Sequence, residues 1–143
     1  MALKMLSVLV CVNMLVACNT TKFVPEGKYL LNDVKVRVED TKAVTSSELM
    51  KYVQQKQNTE ILGFWKLQLD IYNTASADTT KWTSKNARKI GEAPVVFDAE
   101  LADASCTQLQ RAMNNKGYFR TQVDTTMAVK DRKVNLVYHV TAD

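Results

Sequence analysis

Residues 98–141 decide the fold and read DAELADASCTQLQRAMNNKGYFRTQVDTTMAVKDRKVNLVYHVT. Asp98 is a typical N-cap, and small or apolar residues follow it at helical spacing. This inward face comprises Leu101, Ser105, Leu109, Ala112 and Met113. Lys116 and Gly117 end the helix, because a cation complements the helix dipole and glycine adopts the left-handed C-cap conformation. The stretch therefore opens with one amphipathic helix.

Two strands follow the helix. In the first strand, residues of one face alternate with the polar Arg120, Gln122 and Asp124 of the other face. The former face comprises Phe119, Thr121, Val123, Thr125, Met127 and Val129. A short polar turn over residues 130–132 leads to a second strand with apolar residues at every other position, namely Val134, Leu136, Tyr138 and Val140. The pattern predicts a β-hairpin.

The N-terminal half begins with another strand. Its apolar face comprises Leu30, Val34, Val36 and Val38, and its polar face comprises Lys35, Arg37 and Glu39. Thr45 and Glu48 then have the spacing of a capping box, in which each side chain binds the backbone of the other residue. We expect a helix from there through about Gln55 that buries Leu49 and Val53.

The middle of the chain is less clear. Residues 61–73 fit both strand and helix periodicity, so their state stays open. Asp78 is placed to cap a helix that runs to about Ile90. The order strand, helix, further helix, helix, strand, strand predicts an α+β domain with a small mixed three-stranded sheet covered by helices on one face.

Residues 1–17 read MALKMLSVLVCVNMLVA and have the form of a secretory signal, with Lys4 before an apolar run. The run is shorter than the roughly 20 residues of a spanning helix. Leu15 to Cys18 resembles the lipobox of bacterial lipoproteins, so we expect cleavage between Ala17 and Cys18 and acylation of the Cys18 thiol. The alternatives are a plain secreted protein and an N-terminal helix in which Cys18 merely packs.

No enzyme is expected from this sequence. The only histidine, His139, lies on the polar side of the last strand, where an exposed surface residue is the simplest interpretation. The chain contains no CxxC, HExxH, GxGxxG or Walker-type motif, so we expect no metal and no cofactor. Cys106 is the one thiol left after processing, and its helical spacing with Leu109 and Met113 indicates a buried structural cysteine.

A basic stripe is predicted on the helix that ends near Ile90. It comprises Lys81, Lys85, Arg88 and Lys89. The stripe could contact anionic lipid headgroups or nucleic acid, or it could face solvent. A solvated helix face is favoured. The net charge of +4 is too small to indicate a nucleic-acid partner. Four aromatic residues form either an interfacial surface or part of the core, namely Phe64, Trp65, Tyr72 and Trp82.

This arrangement resembles a POTRA (polypeptide-transport-associated) domain. Such domains have the order β-α-α-β-β, and a Gly-aromatic pair, here Gly117-Tyr118, closes the last helix. The chain looks like the N-terminal part of lipoproteins in the BamA and TamA group of outer-membrane assembly factors, the TamL-type branch. The matching stretches are TTKFVPEGKYLL (20–31), DTTKW (78–82) and KIGEAPVVFD (89–98). Members of the group continue into further POTRA domains and a C-terminal barrel. Residues 1–143 contain no strand pairs that could build a barrel, so we expect no insertase activity from them.

The resemblance implies a domain division. Residues 1–17 form a lipoprotein signal peptide, 18–27 the lipidated N-terminus and a tether, and 28–143 a POTRA-like domain with an inserted segment at about 60–90. It also implies a place: the outer membrane, with the protein lipid-anchored on the periplasmic side through acyl chains on Cys18.

The resemblance further implies an interaction module that binds client chains or partner proteins by strand addition. Its expected partners are outer-membrane protein precursors or proteins of the assembly machinery, and no nucleic acid. The expected edge is the first strand of the hairpin, with residues Arg120, Gln122, Val123, Asp124, Thr125 and Thr126. The alternative is a stand-alone structural lipoprotein that tethers an envelope complex without binding clients.

Overall fold

The computed structural model describes residues 20–60, 66–75 and 82–142. These residues form two compact units: a sheet unit of residues 24–58 and 94–142, and a helical-hairpin unit of residues 20–23 and 59–93. The elements are β1 (Leu30–Glu39), α1 (Ser46–Leu49), a 3₁₀ turn (Met50–Tyr52), α2 (Leu67–Thr74), α3 (Trp82–Ile90), α4 (Ala99–Asn114), β2 (Gln122–Lys130) and β3 (Lys133–Thr141). In the part of the chain that is described, no helix has the length and hydrophobicity of a membrane span.

The sheet has the strand order β1-β3-β2, so β3 is central. β1 runs parallel to β3, and β2 runs antiparallel to it over nine residue pairs. The predicted α+β fold with a small mixed sheet is therefore confirmed. The register of β1 shifts between Leu31 and Asp33. Leu30 is fully buried as predicted, and across this shift Leu31 is fully buried as well and joins Val34 in the main core.

The β2–β3 connection is a two-residue turn. Asp131 and Arg132 have φ values of 49° and 60°, the left-handed conformations that a type I′ turn requires. The Arg132 guanidinium donates to the carbonyls of Val24 and Pro25, both at 2.9 Å. The Arg132 carbonyl accepts from the Leu30 N–H at 2.9 Å. This arginine thus joins the hairpin turn to the chain that leads into β1.

The core of the sheet unit lies between one face of the sheet and α4. Apolar residues at every other position of β3 are buried, and Ser105, Leu109, Ala112 and Met113 of α4 are buried as predicted. Leu101 was expected in this set but is 39% exposed, and Ala102 is buried in its place. The buried Ser105 hydroxyl donates to the Leu101 carbonyl at 2.6 Å and accepts from the Gln54 N–H at 3.0 Å.

The first helix is shorter than predicted. α1 ends at Leu49, the 3₁₀ turn ends at Tyr52, and Val53 is extended although it is buried. The Thr45 hydroxyl accepts from the Glu48 N–H at 3.2 Å, as a capping box requires. The Glu48 carboxylate, however, accepts from Lys116 Nζ at 2.6 Å instead of completing the box.

α4 begins and ends with the predicted signals. Asp98 accepts from the N–H groups of Glu100 at 2.9 Å and Leu101 at 3.3 Å. At the other end Gly117 has φ +94°, its N–H donates to the Asn114 carbonyl, and the Tyr118 N–H donates to the Met113 carbonyl. This pair of bonds is a Schellman motif, which turns the chain sharply towards β2.

The hairpin unit contains α2 and α3. The Glu92 N–H donates to the Gln68 carbonyl at 3.0 Å, so the end of α3 lies beside the start of α2 and the helices are antiparallel. Gly91 permits this approach, because a Cβ there would lie 2.5 Å from the Tyr72 backbone nitrogen. The stretch 61–73, whose periodicity fits both strand and helix, is helical from Leu67 onward. Residues 61–65 and the predicted cap Asp78 lie outside the described residues.

Candidate strand-addition edge

β2 forms one edge of the sheet. It is paired with β3 from Gln122 to Lys130, and no other described strand lies beside it. The strand contains no proline, so every residue keeps a backbone donor. An edge of this kind presents a row of backbone groups that a further strand can bind.

The hairpin geometry shows which groups form that row. In a two-residue turn the flanking residues, here Lys130 and Lys133, form a hydrogen-bonded pair, and the pairs then alternate along the ladder. The residues in hydrogen-bonded pairs direct their N–H and C=O groups towards β3. The others, which direct theirs outward, are Val123, Thr125, Met127 and Val129. The open edge therefore offers four outward N–H and C=O groups, spaced two residues apart.

On the face of the sheet away from the helices, β2 carries polar side chains. Gln122, Asp124 and Thr126 are exposed there. The Thr126 hydroxyl lies 3.2 Å from Nε2 of His139, and the other ring nitrogen of His139 lies 3.5 Å from a carboxylate oxygen of Glu39. His139 was expected to be exposed, but it is partly buried between these two neighbours. This imidazole bridges all three strands.

The face towards the helices is apolar but only partly covered. Val123 is half-buried, whereas Met127 and Val129 are 52% and 50% exposed. α4 crosses the sheet diagonally: Phe97, just before it, binds Tyr29 before β1, and Gln110 near its end binds the Thr121 carbonyl before β2. The far end of β2 therefore stays uncovered. The alternation predicted the face of Met127 and Val129 but not their exposure.

The structure distributes the predicted edge residues over two elements. Val123, Asp124, Thr125, Thr126 and Gln122 lie in β2. Arg120 was expected on the strand but lies in the turn before it. With Gln122 it lines a polar pocket of about 350 Å³ at the beginning of β2, together with Asp40, Thr141 and Ala142.

The opposite edge, β1, is covered where it begins. Leu30 forms a bridge with Val96, the Leu31 N–H donates to the Val95 carbonyl at 2.7 Å, and the Phe97 N–H donates to the Tyr29 carbonyl at 2.8 Å. Farther along, β1 and α1 enclose a groove of about 260 Å³, lined by Lys35, Val36, Arg37, Ser46, Ser47 and Met50. Residues 95–97 thus occupy the space beside the first residues of β1, and α1 lies across a groove from its middle.

The predicted basic stripe does not form a single solvated face. Lys85 and Lys89 are exposed on α3. Arg88 is partly buried, with its guanidinium 5.3 Å from the ring centre of Phe23 and 5.9 Å from that of Tyr72. Lys81 lies outside the described residues, as do Ala17 and Cys18.

The described residues contain no cluster of His, Cys, Asp and Glu side chains that could hold a metal ion. Burial, with a smaller contribution from Asp103, raises the pKa of the partly buried Cys106 thiol. This cysteine is therefore protonated at neutral pH, and a protonated thiol is a weak nucleophile. The chemical groups that the edge offers are backbone donors and acceptors and an apolar strip.

Comparisons with known proteins agree with the topology. Residues 34–143 match the family model described as POTRA, surface antigen variable number repeat. No curated protein and no solved structure matches the chain. POTRA domains generally bind other proteins or substrate chains. The match covers β2 and β3 in full, β1 from Val34 onward, and more than half of the sequence. The chain therefore belongs to the POTRA family.

Proposed function

We propose that this chain is a periplasmic, lipid-anchored POTRA-type interaction module of an outer-membrane protein assembly factor. In this role it binds client chains or partner proteins by strand addition to β2. The observation that carries the proposal is the row of outward N–H and C=O groups along β2, which no described segment covers. The proposal assigns the chain no catalytic activity and no cofactor.

The two kinds of group on this edge have separate roles in binding. Backbone hydrogen bonds tolerate any client sequence except proline, and pockets for alternate side chains add preference. The exposed Met127 and Val129 favour a client strand with apolar side chains on the helix side. On the other side Gln122, Asp124 and Thr126 favour polar side chains. A strand with alternating polarity satisfies both faces at once.

The signal and the Leu15–Cys18 motif support the lipid anchor. Acyl chains contribute about 0.8 kcal/mol per buried CH₂, so two or three chains hold a protein domain at a membrane. In this proposal Cys18 is the acylated N-terminus at the outer membrane. The Cys18→Ser variant should be released from membranes, and continued tight association of this variant would contradict the anchor.

The client role is tested by site-specific crosslinking in intact cells. A photo-reactive residue at position 122 replaces Gln122, which is exposed at the beginning of β2. Adducts with several unfolded outer-membrane barrel precursors are the expected result. Adducts with one fixed envelope protein alone would contradict client binding and favour the structural tether.

A proline variant tests strand addition itself. Thr125 directs its N–H outward, so Thr125→Pro removes a docking donor and leaves the β2–β3 ladder intact. We expect the Gln122 adducts to disappear in this variant. The control is Thr125→Val, which keeps the N–H and the β-branched shape and should keep the adducts. Unchanged adducts in a folded Thr125→Pro protein would exclude strand addition at β2.

A further inference from the structure

The segment that follows the expected lipidation site is packed onto the hairpin unit. Lys22 Nζ donates to the carbonyls of Asn73 at 3.1 Å and Ala75 at 2.8 Å, at the C-terminal end of α2, where a cation is favoured. The Phe23 ring meets the Tyr72 ring edge to face at 5.5 Å. The guanidinium of Arg88 lies over both rings. Residues 22 and 23, although within the predicted tether, are therefore bound to α2 and α3.

Little chain remains between this packed segment and Cys18. Thr21 is already buried, and three residues of extended chain span at most about 11 Å. The headgroup layer on each side of a bilayer is itself roughly 6 Å thick. An acylated Cys18 would hold the hairpin unit against the membrane surface.

The contacts of Arg88 show which part of α3 is nearest to the anchor. Its guanidinium lies over the rings of Phe23 and Tyr72, next to the end of α2 where Lys22 is bound. Arg88 precedes Lys89 in the last turn of α3. The segment that leads to Cys18 therefore lies against the last turn of α3.

The outer face of α3 has the composition of a membrane-surface helix. Trp82 is 76% exposed and Ile90 66% exposed, and Lys85 and Lys89 are exposed between them. Ser84 and Arg88 lie on the other side of the helix, where they are buried or partly buried. Tryptophan prefers the boundary between water and hydrocarbon, and lysine is attracted to anionic headgroups.

We infer that this outer face of α3, defined by Trp82, Lys85, Lys89 and Ile90, docks on an anionic bilayer surface. The inference rests on the proposed acylation of Cys18, which brings the face to the membrane. The acyl chains hold the protein at the membrane. The outer face of α3 then determines which side of the hairpin unit contacts the lipid. Each lysine near an anionic surface increases membrane partitioning by about fivefold.

The test measures where Trp82 lies. The full chain is produced with its own leader in a lipoprotein-processing bacterium and reconstituted into phosphatidylglycerol-containing vesicles with brominated acyl chains. The chain has 2 tryptophans, so Trp65→Phe leaves Trp82 as the only one. We expect a loss of Trp82 fluorescence relative to vesicles without bromine. Lys85→Glu with Lys89→Glu should restore the fluorescence, whereas the control pair Lys42→Glu with Lys56→Glu should not.

Two results separate the face from the anchor. If the protein stays on the vesicles in about 1 M salt but Trp82 is not quenched, the anchor stands and the inference is overturned, which leaves α3 to solvent or a protein. If salt removes the protein, the acyl anchor is absent. Flotation at low salt then decides the inference: binding to phosphatidylglycerol but not to phosphatidylcholine vesicles supports it, and no binding to either overturns it.

Discussion

The two edges of the sheet differ in what lies beside them. Both β1 and β2 are about equally long, at 10 and 9 residues, and each pairs with β3 alone within the sheet. Residues 95–97 bind the beginning of β1, whereas no described segment binds the outer side of β2. The availability of an edge therefore depends on neighbouring chain more than on the strand itself.

Two side chains from the residues that follow the 3₁₀ turn hold the segment that covers the beginning of β1. Gln55 donates to the Val96 carbonyl at 2.6 Å and accepts from the Asp98 N–H at 3.1 Å. Asn58, which is almost fully buried, accepts from the Val95 N–H at 3.0 Å. Specific side chains thus hold the segment that covers the beginning of β1, and β2 has no such segment beside it among the described residues.

The largest expected effect comes from a proline on the inner side of β2. Thr126 belongs to a hydrogen-bonded pair with Val137, so Thr126→Pro removes a ladder bond and should lower the free energy of unfolding by about 2–4 kcal/mol. Thr125→Pro, on the outward side, should cost only about 1 kcal/mol. Urea unfolding of both variants measures the difference. Equal losses would contradict the assignment of outward and inward groups.

A smaller effect is expected from loosening the covered edge. Asn58→Ala leaves the Val95 N–H without its partner and should lower the free energy of unfolding by about 1–3 kcal/mol. Hydrogen exchange at Val95 and Leu31 should then accelerate more than exchange along β3. The nearby exposed Lys56→Ala should change stability by less than about 0.5 kcal/mol. Unchanged exchange at Val95 would show that Asn58 does not hold the cover.

The smallest effect concerns α1, which lies beside the middle of β1. The hydrogen bond from Lys116 holds the pKa of the exposed Glu48 below its usual value and raises the pKa of Lys116. The Glu48–Lys116 contact therefore stabilises the folded state fully above the unfolded pKa of Glu48, about 4.3. This contribution is lost as pH falls through the lower folded pKa of Glu48. At high pH the same contribution is fully present below the unfolded pKa of Lys116, and it is lost as pH rises through the raised folded pKa of Lys116.

Lys116→Met should return the pKa of Glu48 towards its usual value, as measured by NMR titration. Lys51→Met is the matched control, because Lys51 lowers the same pKa through charge alone and by less. A similar rise in both variants would show that the 2.6 Å contact is not the main cause.

Local signals in the sequence predicted the strands and the ends of the long helix. Asp98 and Gly117 act through their own backbone neighbours, and the alternation from Val134 to Val140 needs only one buried face. The first helix was predicted too long, because Ser105, 51 residues away along the chain, binds the Gln54 N–H. β2, the strand expected to accept a further strand, forms one edge of the sheet, and Arg120 lies in the turn before it.

The sequence by itself therefore determined the α+β class, the hairpin and the residues with alternating polarity, because these depend on short-range periodicity and capping. Only the tertiary structure decided which edge is open, that Met127 and Val129 are exposed, and that Arg88 leaves the lysine face to stack on Phe23. Each of these outcomes depends on contacts between distant parts of the chain, namely the diagonal path of α4, the cover at residues 95–97 and the packing of residues 22 and 23. Such contacts follow from how elements pack around a shared core, and no local pattern encodes that packing.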